Sequence, residues 1–222
     1  MLRLLIATGN RGKVREFQEL LETHDVACTD LSAHASVPAP EETGHTFRAN
    51  AMLKAVYYAT ALNTWALADD SGLSVDALDG SPGVHSARWA ELNGAGKGLR
   101  RAQSSRDADN NALLLRQLQS VLGERRSARF VCVLALSDPK GRVVLTARDE
   151  VEGSLLRAPR GTGGFGYDPL FLVPSLGRTT AELPAREKHA ISHRGKALRR
   201  LAALLDALKI AGSNYLASGG VA

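Results

Sequence analysis

The sequence predicts an α/β fold built on a mixed β-sheet. Short apolar segments alternate with amphipathic ones over the first third of the chain, the order expected of strands joined by helices. Two runs rich in valine and leucine then flank Asp138-Pro139-Lys140-Gly141, a turn-forming tetrapeptide, as in a hairpin. The 222 residues, 44 % hydrophobic and 23 % charged, can bury a core without disulfide or metal staples.

Residues 2–7 read as a short buried strand. Residues 11–23 read as a helix, with Val14, Phe17, Leu20 and Leu21 on one face at the helical period. Residues 26–31 suit a second strand, and Pro38, Pro40 and Glu41-Glu42 mark 33–44 as loop. The segment 46–62 puts Ala51, Ala55, Tyr58 and Leu62 on one stripe of a helix. Trp65 to Ala68 is a strand that ends in Asp69-Asp70-Ser71-Gly72, with Leu73–Val75 as a possible continuation. Residues 79–106 show no period and are expected to be irregular. Asp109 can cap a helix through about Leu122, with Leu114, Leu118 and Val121 inward. Residues 129–136 and 142–148 form the strand pair, which 151–156 can extend. A glycine-rich loop, 160–169, precedes a strand at 170–173. Ser192 caps a last helix with Leu198, Leu201, Leu205 and Leu208 inward. Residues 1–212 form one domain, and 213–222 are expected to be a flexible tail.

Composition narrows the function. No apolar run reaches the 18 residues that a spanning helix needs. Leu2–Ala7 is too short for a secretory signal, so no membrane association and a cytoplasmic location are expected. Cys28 and Cys132 make no disulfide framework, and Cys132, among valines and leucines, reads as a small buried apolar residue. The net charge of +5 hints at an anionic partner. The excess is spread over Arg100, Arg101, Arg106, Arg125, Arg126, Arg129 and 186–200, which equally suits a solvated basic face.

Four clusters carry chemistry. Thr8-Gly9-Asn10-Arg11-Gly12-Lys13 lies between a strand and a helix. Glycines there allow close backbone approach, a helix start offers N–H groups, and Lys13 adds a charge, which together suit a polyphosphate. It is not a Walker A loop, and such a turn is often only a turn. Glu41, Glu42, Asp69 and Asp70 are hard oxygen donors of the kind Mg²⁺ takes, and one of them could deprotonate a water; the bland alternative is solvated surface and a turn cap. Gly161–Pro169 sets four glycines around Phe165 and Tyr167, so Phe165 can stack on a base or both rings can plug the core. His193 and Arg194 stand in the first turn of the last helix, where cations are disfavoured, which suggests an acceptor-rich ligand.

These pieces occur in order as TGNRGK, EETGHTFRANAMLKA, ADDSGL, PGVHSAR, FVCVLAL, GTGGFGYDPLF and EKHAISHR. The sequence thereby resembles the inosine/xanthosine triphosphatases of the Ham1-like family, pyrophosphatases of noncanonical purine nucleoside triphosphates, over about residues 3–208. Ala49 stands where that family often has Glu, and His85 where it often has Tyr. The resemblance implies an elongated mixed sheet with two lobes flanked by helices and an active-site cleft between the lobes. It implies hydrolysis of ITP, dITP and XTP to the monophosphate and pyrophosphate, Mg²⁺ as cofactor, and a homodimer. Carried over by motif, Thr8, Gly9, Asn10, Arg11, Gly12 and Lys13 bind the triphosphate, and Glu41 and Asp70 hold the metal. Asp70 is also the catalytic proton acceptor. Ser71, Phe165, Gly166, Tyr167, Asp168, Lys188, His193 and Arg194 line the substrate site, with Lys54 and Asp69 in support. A nucleic-acid-binding module is the rival class. Its arginine runs lack interleaved aromatics and its paired carboxylates would repel a phosphate backbone, so no stable nucleic-acid binding is expected. A Maf-like pyrophosphatase would keep the chemistry and change the base, but the Ser192-His193-Arg194 motif argues against it.

Overall fold

The computed structural model describes residues 2–22, 26–94 and 102–211. Its strands are β1 (Leu2–Ile6), β2 (Val26–Asp30), β3 (Trp65–Val75), β4 (Ser127–Ser137), β5 (Val143–Leu155), β6 (Phe171–Val173) and β7 (Arg178–Thr179). They form one seven-stranded sheet in the order β2-β1-β3-β4-β5-β6-β7. β1 pairs in parallel with both β2 and β3, whereas β6 runs antiparallel to β5 and β7, so the sheet is mixed, as the sequence predicts. The helices are α1 (Arg11–Leu21), α2 (Phe47–Leu62), α3 (Trp89–Leu92), α4 (Gln103–Gln117), α5 (Ala185–Ile191) and α6 (His193–Ala211). Among the described residues no helix is long and apolar enough to cross a membrane.

The chain divides into two compact units. The first comprises Met1–Asp70, Cys132–Asp149 and His193–Ala222, the second Ser71–Val131 and Glu150–Ser192. In the first unit β1 and the first residues of β3 are buried on both faces. Leu4, Ile6, Trp65 and Leu67 pack with Phe17 and Leu21 of α1 and Ala197, Leu198, Leu201 and Leu205 of α6. Leu5, Ala7, Ala66 and Ala68 pack with Ala51, Ala55, Tyr58 and Ala59 of α2. Alternate residues of one strand thus serve two cores, because successive side chains leave a pleated strand on opposite faces. Cys132 is fully buried in the first core, and burial pushes its thiol up to about 12, far from any reactive range. The second unit has its own core, in which Leu73, Val75, Leu114 and Leu118 meet Phe130, Tyr167 and Phe171.

Several elements differ from the sequence reading. β3 does not end at the aspartates but runs unbroken from Trp65 to Val75, through Asp69, Asp70 and Gly72. The polar residues stay in the strand because their neighbours there satisfy them. α4 begins at Gln103, six residues before the expected cap, and Asp109 lies inside it. Two turns into the helix, buried Asn110 accepts from the Ala90 N–H and donates to the carbonyls of Ser86 and Ala87. Residues 83–92 are ordered as a 3-10 turn followed by α3. α5 and β7 escaped the period analysis because they are too short to show one. Ser192 ends α5, donating its N–H to the Lys188 carbonyl, immediately before α6.

Not all of the arginines are solvated. Arg126 is buried and donates to the carbonyls of Leu118, Leu155 and Leu156. Arg129 pairs with Asp76 at 2.6 Å, and Arg194 is buried. Arg100, Arg101, the rest of 95–101 within the segment expected to be irregular, and the expected tail, 213–222, lie outside the described residues, as do the side chains of Leu20 and Leu208.

Candidate active site

The register of β1 against β3 locates the first cluster. Ile6 pairs with Leu67, and the Ala7 N–H reaches the Leu67 carbonyl at 2.8 Å, after which the chain turns away into α1. Asp69 and Asp70 therefore lie just beyond the carboxyl end of β1. The strand order places this spot where β1 has β2 on one side and β3 on the other, the kind of switch point at which open α/β sheets bind ligands.

The Thr8–Lys13 turn is built by its own side chains. Asn10 caps α1, its Oδ1 accepting the N–H groups of Gly12 at 2.8 Å and Lys13 at 3.2 Å, and the Thr8 hydroxyl accepts the Asn10 N–H. Two of the backbone donors that the sequence offered to a phosphate are thus already engaged. Space remains at Gly9, where nothing stands within 4 Å of an added Cβ. Arg11 is exposed.

Lys13 turns its Nζ onto Asp69, 2.8 Å away. Asp69 is fully buried at its side chain, and the Arg194 guanidinium stands 3.7 Å from the same carboxylate. Burial alone would raise the Asp69 pKa, but Lys13, Arg194 and Lys54 outweigh it and hold the carboxyl well below the usual range. Arg194 is itself buried and forms a very short pair with Glu16 of α1. Burial opposes its charge, yet Glu16 and Asp69 keep it firmly cationic. His193, the first residue of α6, is buried beside it.

Asp70 faces the other way, toward α2. Lys54 Nζ lies 3.0 Å from its Oδ1 and 2.7 Å from Glu42 Oε1, and Asn50 Nδ2 lies 3.3 Å from its Oδ2. Here burial wins: the Asp70 pKa is raised, with Lys54 and Lys13 only partly offsetting the lost solvation. Lys54 is raised too, because Asp70, Asp69 and Glu42 together overcome its own burial. Glu42, not Glu41, joins this cluster; Glu41 is exposed. Among the described residues no three His, Cys, Asp or Glu side chains are grouped to hold a metal ion by themselves.

In the second unit the glycine-rich loop is held from within. Asp168 accepts the Phe165 N–H at 2.8 Å, the Thr180 hydroxyl at 2.8 Å and Lys188 Nζ at 2.7 Å. Lys188 is buried and lies 5.0 Å from the Phe165 ring centroid. Gly164 has φ +73°, and a Cβ there would stand 2.1 Å from Asp168 Oδ2, so only glycine fits. Asp107 and Asn111 of α4 grip Gly166, one accepting its N–H at 2.8 Å and the other donating to its carbonyl at 3.0 Å. Tyr167 is buried with its hydroxyl donating to the Ser86 carbonyl, so of the two aromatics this one plugs the core. Phe165 is partly exposed, and Ser71 is half-buried in β3.

Sequence reasoning missed Asn50, Glu16, Asp107 and Asn111. Asn50 precedes Lys54 by one helical turn and Glu16 follows Lys13 by three residues, spacings that place each pair on one helix face. That spacing was the only signal available for either residue.

Comparison with known proteins agrees with this architecture. The model of the Ham1 family matches residues 4–204. A curated dITP/XTP pyrophosphatase of Exiguobacterium sibiricum is 48% identical over 204 residues, 92% of this chain and 97% of that protein. One of the same description from Geobacter sulfurreducens is 47% identical over 201 residues, 90% and 95% of the two chains. The solved structure of a HAM1 protein from Coxiella burnetii superposes with a TM-score of 0.79 at 42% identity, covering 93% of this chain and 99% of that one. The Staphylococcus aureus Ham1 protein gives 0.78 at 38% identity, covering 93% and 100%. The fold and the paired carboxylate–ammonium clusters are those of a nucleotide-processing α/β protein. The chain belongs to the Ham1 family.

Proposed function

We propose that this protein hydrolyses noncanonical purine nucleoside triphosphates, ITP, dITP and XTP, to the monophosphate and pyrophosphate, keeping them out of DNA and RNA. The observation that carries the chemistry is the opposite placement of adjacent aspartates, Asp69 between Lys13 and Arg194 and Asp70 against Lys54 and Asn50, which shifts their pKa values in opposite directions. Asp69 is kept ionised, and its ion pair holds Lys13 beside the Thr8–Gly12 turn, where triphosphate oxygens are to be neutralised. Asp70 is pushed toward the ambient pH, where a general base works best. It accepts the proton of a water that attacks phosphorus in line, and pyrophosphate departs against the cationic side chains. The acceptor-rich base of hypoxanthine or xanthine suits the donors of His193 and Arg194, whereas the adenine amino group would leave a buried donor unmatched. Phe165, with Lys188 behind it, supplies a face for the base, and Ser71, Gly166, Tyr167 and Asp168 shape that part of the binding surface.

Mg²⁺ belongs to this proposal. Glu16, Glu42, Asp69 and Asp70 carry one more charge than Lys13, Lys54 and Arg194 balance, so a triphosphate needs further positive charge. Mg²⁺ typically takes one or two carboxylates and completes its shell with phosphates and water. Asp70 with Glu41 or Glu42 fits that mode. The ion would supply charge neutralisation at the phosphates. A homodimer, a cytoplasmic location and the lack of stable nucleic-acid binding complete the reading. Elution volume on size exclusion and DNA retention at low salt test the first and the last.

The deciding assay is pyrophosphate release from dITP, ITP, XTP, ATP and GTP side by side, with and without Mg²⁺. Preference for the first three and dependence on the metal are expected. Release of orthophosphate, or equal rates on ATP, overturns the proposal.

A further inference from the structure

Asn50 is almost fully buried, at 1% exposure, in the first turn of α2, and nothing in the chemistry above uses it. Its amide faces two partners of opposite kind. Oδ1 accepts the Gly44 N–H at 2.8 Å, and Nδ2 donates to Asp70 Oδ2 at 3.3 Å. A donor on one side and an acceptor on the other fix which way the amide points. One turn further along α2, Lys54 holds the other Asp70 oxygen and also Glu42. Both oxygens of Asp70 are thus held from one helix, and the same two side chains grip the acidic loop at Glu42 and Gly44. The glycine is part of the device. A Cβ at residue 44 would stand 2.6 Å from Asn50 Oδ1 and 2.7 Å from Ala49 Cβ, so a larger residue would push the amide away from Asp70. Thr46 caps α2 through the Ala49 N–H and so sets the turn from which Asn50 projects.

We propose that Asn50 is a positioning residue: its amide fixes the plane of the Asp70 carboxylate and ties it to the loop at Gly44. This rests on the reading of Asp70 as the proton acceptor. The carboxylate must present a defined lone pair to the attacking water, and a displacement of about 1 Å in such a group can cost on the order of 10²-fold in rate.

The test uses three substitutions. Asn50→Asp keeps the shape and the acceptor for Gly44 but removes the donor to Asp70. Asn50→Ala removes both. Gly44→Ala disturbs the tether from the other end. Turnover of dITP with Mg²⁺ should fall about 10²-fold in kcat for Asn50→Asp, with KM within about threefold. In an Asp70→Asn background the same change should alter the residual kcat by less than about threefold, because its effect passes through Asp70. Hydrogen exchange read on the peptide spanning 41–46 supplies a measure independent of turnover. The Gly44 N–H should exchange about tenfold faster in Asn50→Ala and stay protected in Asn50→Asp. Equal losses in both backgrounds, or an Asn50→Asp enzyme within threefold of the original kcat, would overturn the proposal. A chain that hydrolyses ATP in place of dITP overturns the substrate reading alone, and the cycle is then decided on ATP.

Discussion

Asp69 and Asp70 are neighbours in sequence, yet replacing each by asparagine should have opposite consequences. Asp69 has a fully buried side chain between Lys13 and Arg194, which hold it ionised below the usual carboxylate range although burial opposes that. Asp69→Asn leaves two cations facing a neutral amide, and Arg194 is only 3% exposed at its side chain. Removing one partner of a buried ion pair costs about 3–5 kcal/mol. At 2–4 °C per kcal/mol for a chain of this size, Tm should fall roughly 6–20 °C. Asp70 is the reverse case. Its raised pKa, dominated by burial, says that ionising Asp70 costs the fold some stability. Asp70→Asn removes that burden, and Lys54 keeps Glu42, so Tm should hold or rise while turnover of dITP drops 10²–10⁴-fold. The pH dependence follows in sign. The Asp69 contribution is complete above the ordinary aspartate value near 4 and disappears as pH falls below it, because the folded value is lower still. The Tm gap between the unsubstituted chain and Asp69→Asn should therefore close on acidification below about pH 4. The Asp70 effect has the opposite sign: its ionisation weakens the fold as pH rises past about 4 toward the raised value. Thermal melts across pH 3–7 read both. Equal Tm losses for the two variants, or an Asp69→Asn gap that widens in acid, would refute the assignment of opposite roles.

Lys13→Ala should weaken dITP far more than dIMP, since the lost charge faces the phosphate tail; equal losses in a competition assay would mean that Lys13 serves only Asp69. Gly72→Ala places a Cβ 2.4 Å from the Ser86 hydroxyl and 2.5 Å from the Gly83 carbonyl, and should cost about 1–3 kcal/mol in urea unfolding. Arg126→Met strips the donor from three carbonyls at a residue only 2% exposed; a loss of about 3 kcal/mol or more is expected by the same measurement. His193→Ala should lower the dITP/dATP ratio of kcat/KM with little change in Tm. Arg194→Ala should lower both, because the guanidinium also serves Glu16 and Asp69.

The parts of the fold that were legible in the sequence were those with a period. α1 begins at Arg11, as its apolar stripe predicts, and β4 is the valine–leucine run, buried on both faces. The start of α4 was not legible, because no side chain caps it, and the contacts Asn110 makes with residues 86–90 are remote in sequence. The aspartates looked like the end of a strand because carboxylates rarely continue an apolar one. What keeps β3 going is a set of cations from α1, α2 and α6, and a local reading of 65–75 cannot see them.

The division of labour between the aspartates, by contrast, was encoded in plain alternation. Trp65 and Leu67 point into the core shared with α1 and α6, and Ala66 and Ala68 into the core shared with α2. Continuing that pleat by one step assigns Asp69 to the first face and Asp70 to the second. The first face offers Lys13 and Arg194, whose charges outweigh desolvation; the second offers Lys54, already shared with Glu42, and the neutral amide of Asn50. One extra unit of effective positive charge on one side of the sheet accompanies shifts of opposite sign on two identical side chains. Deleting one residue between Ala66 and Asp69 would exchange the faces, placing Asp70 before Lys13 and Arg194 and Ser71 before Lys54. Such a chain should retain neither the raised pKa nor the turnover, even where the sheet itself re-forms.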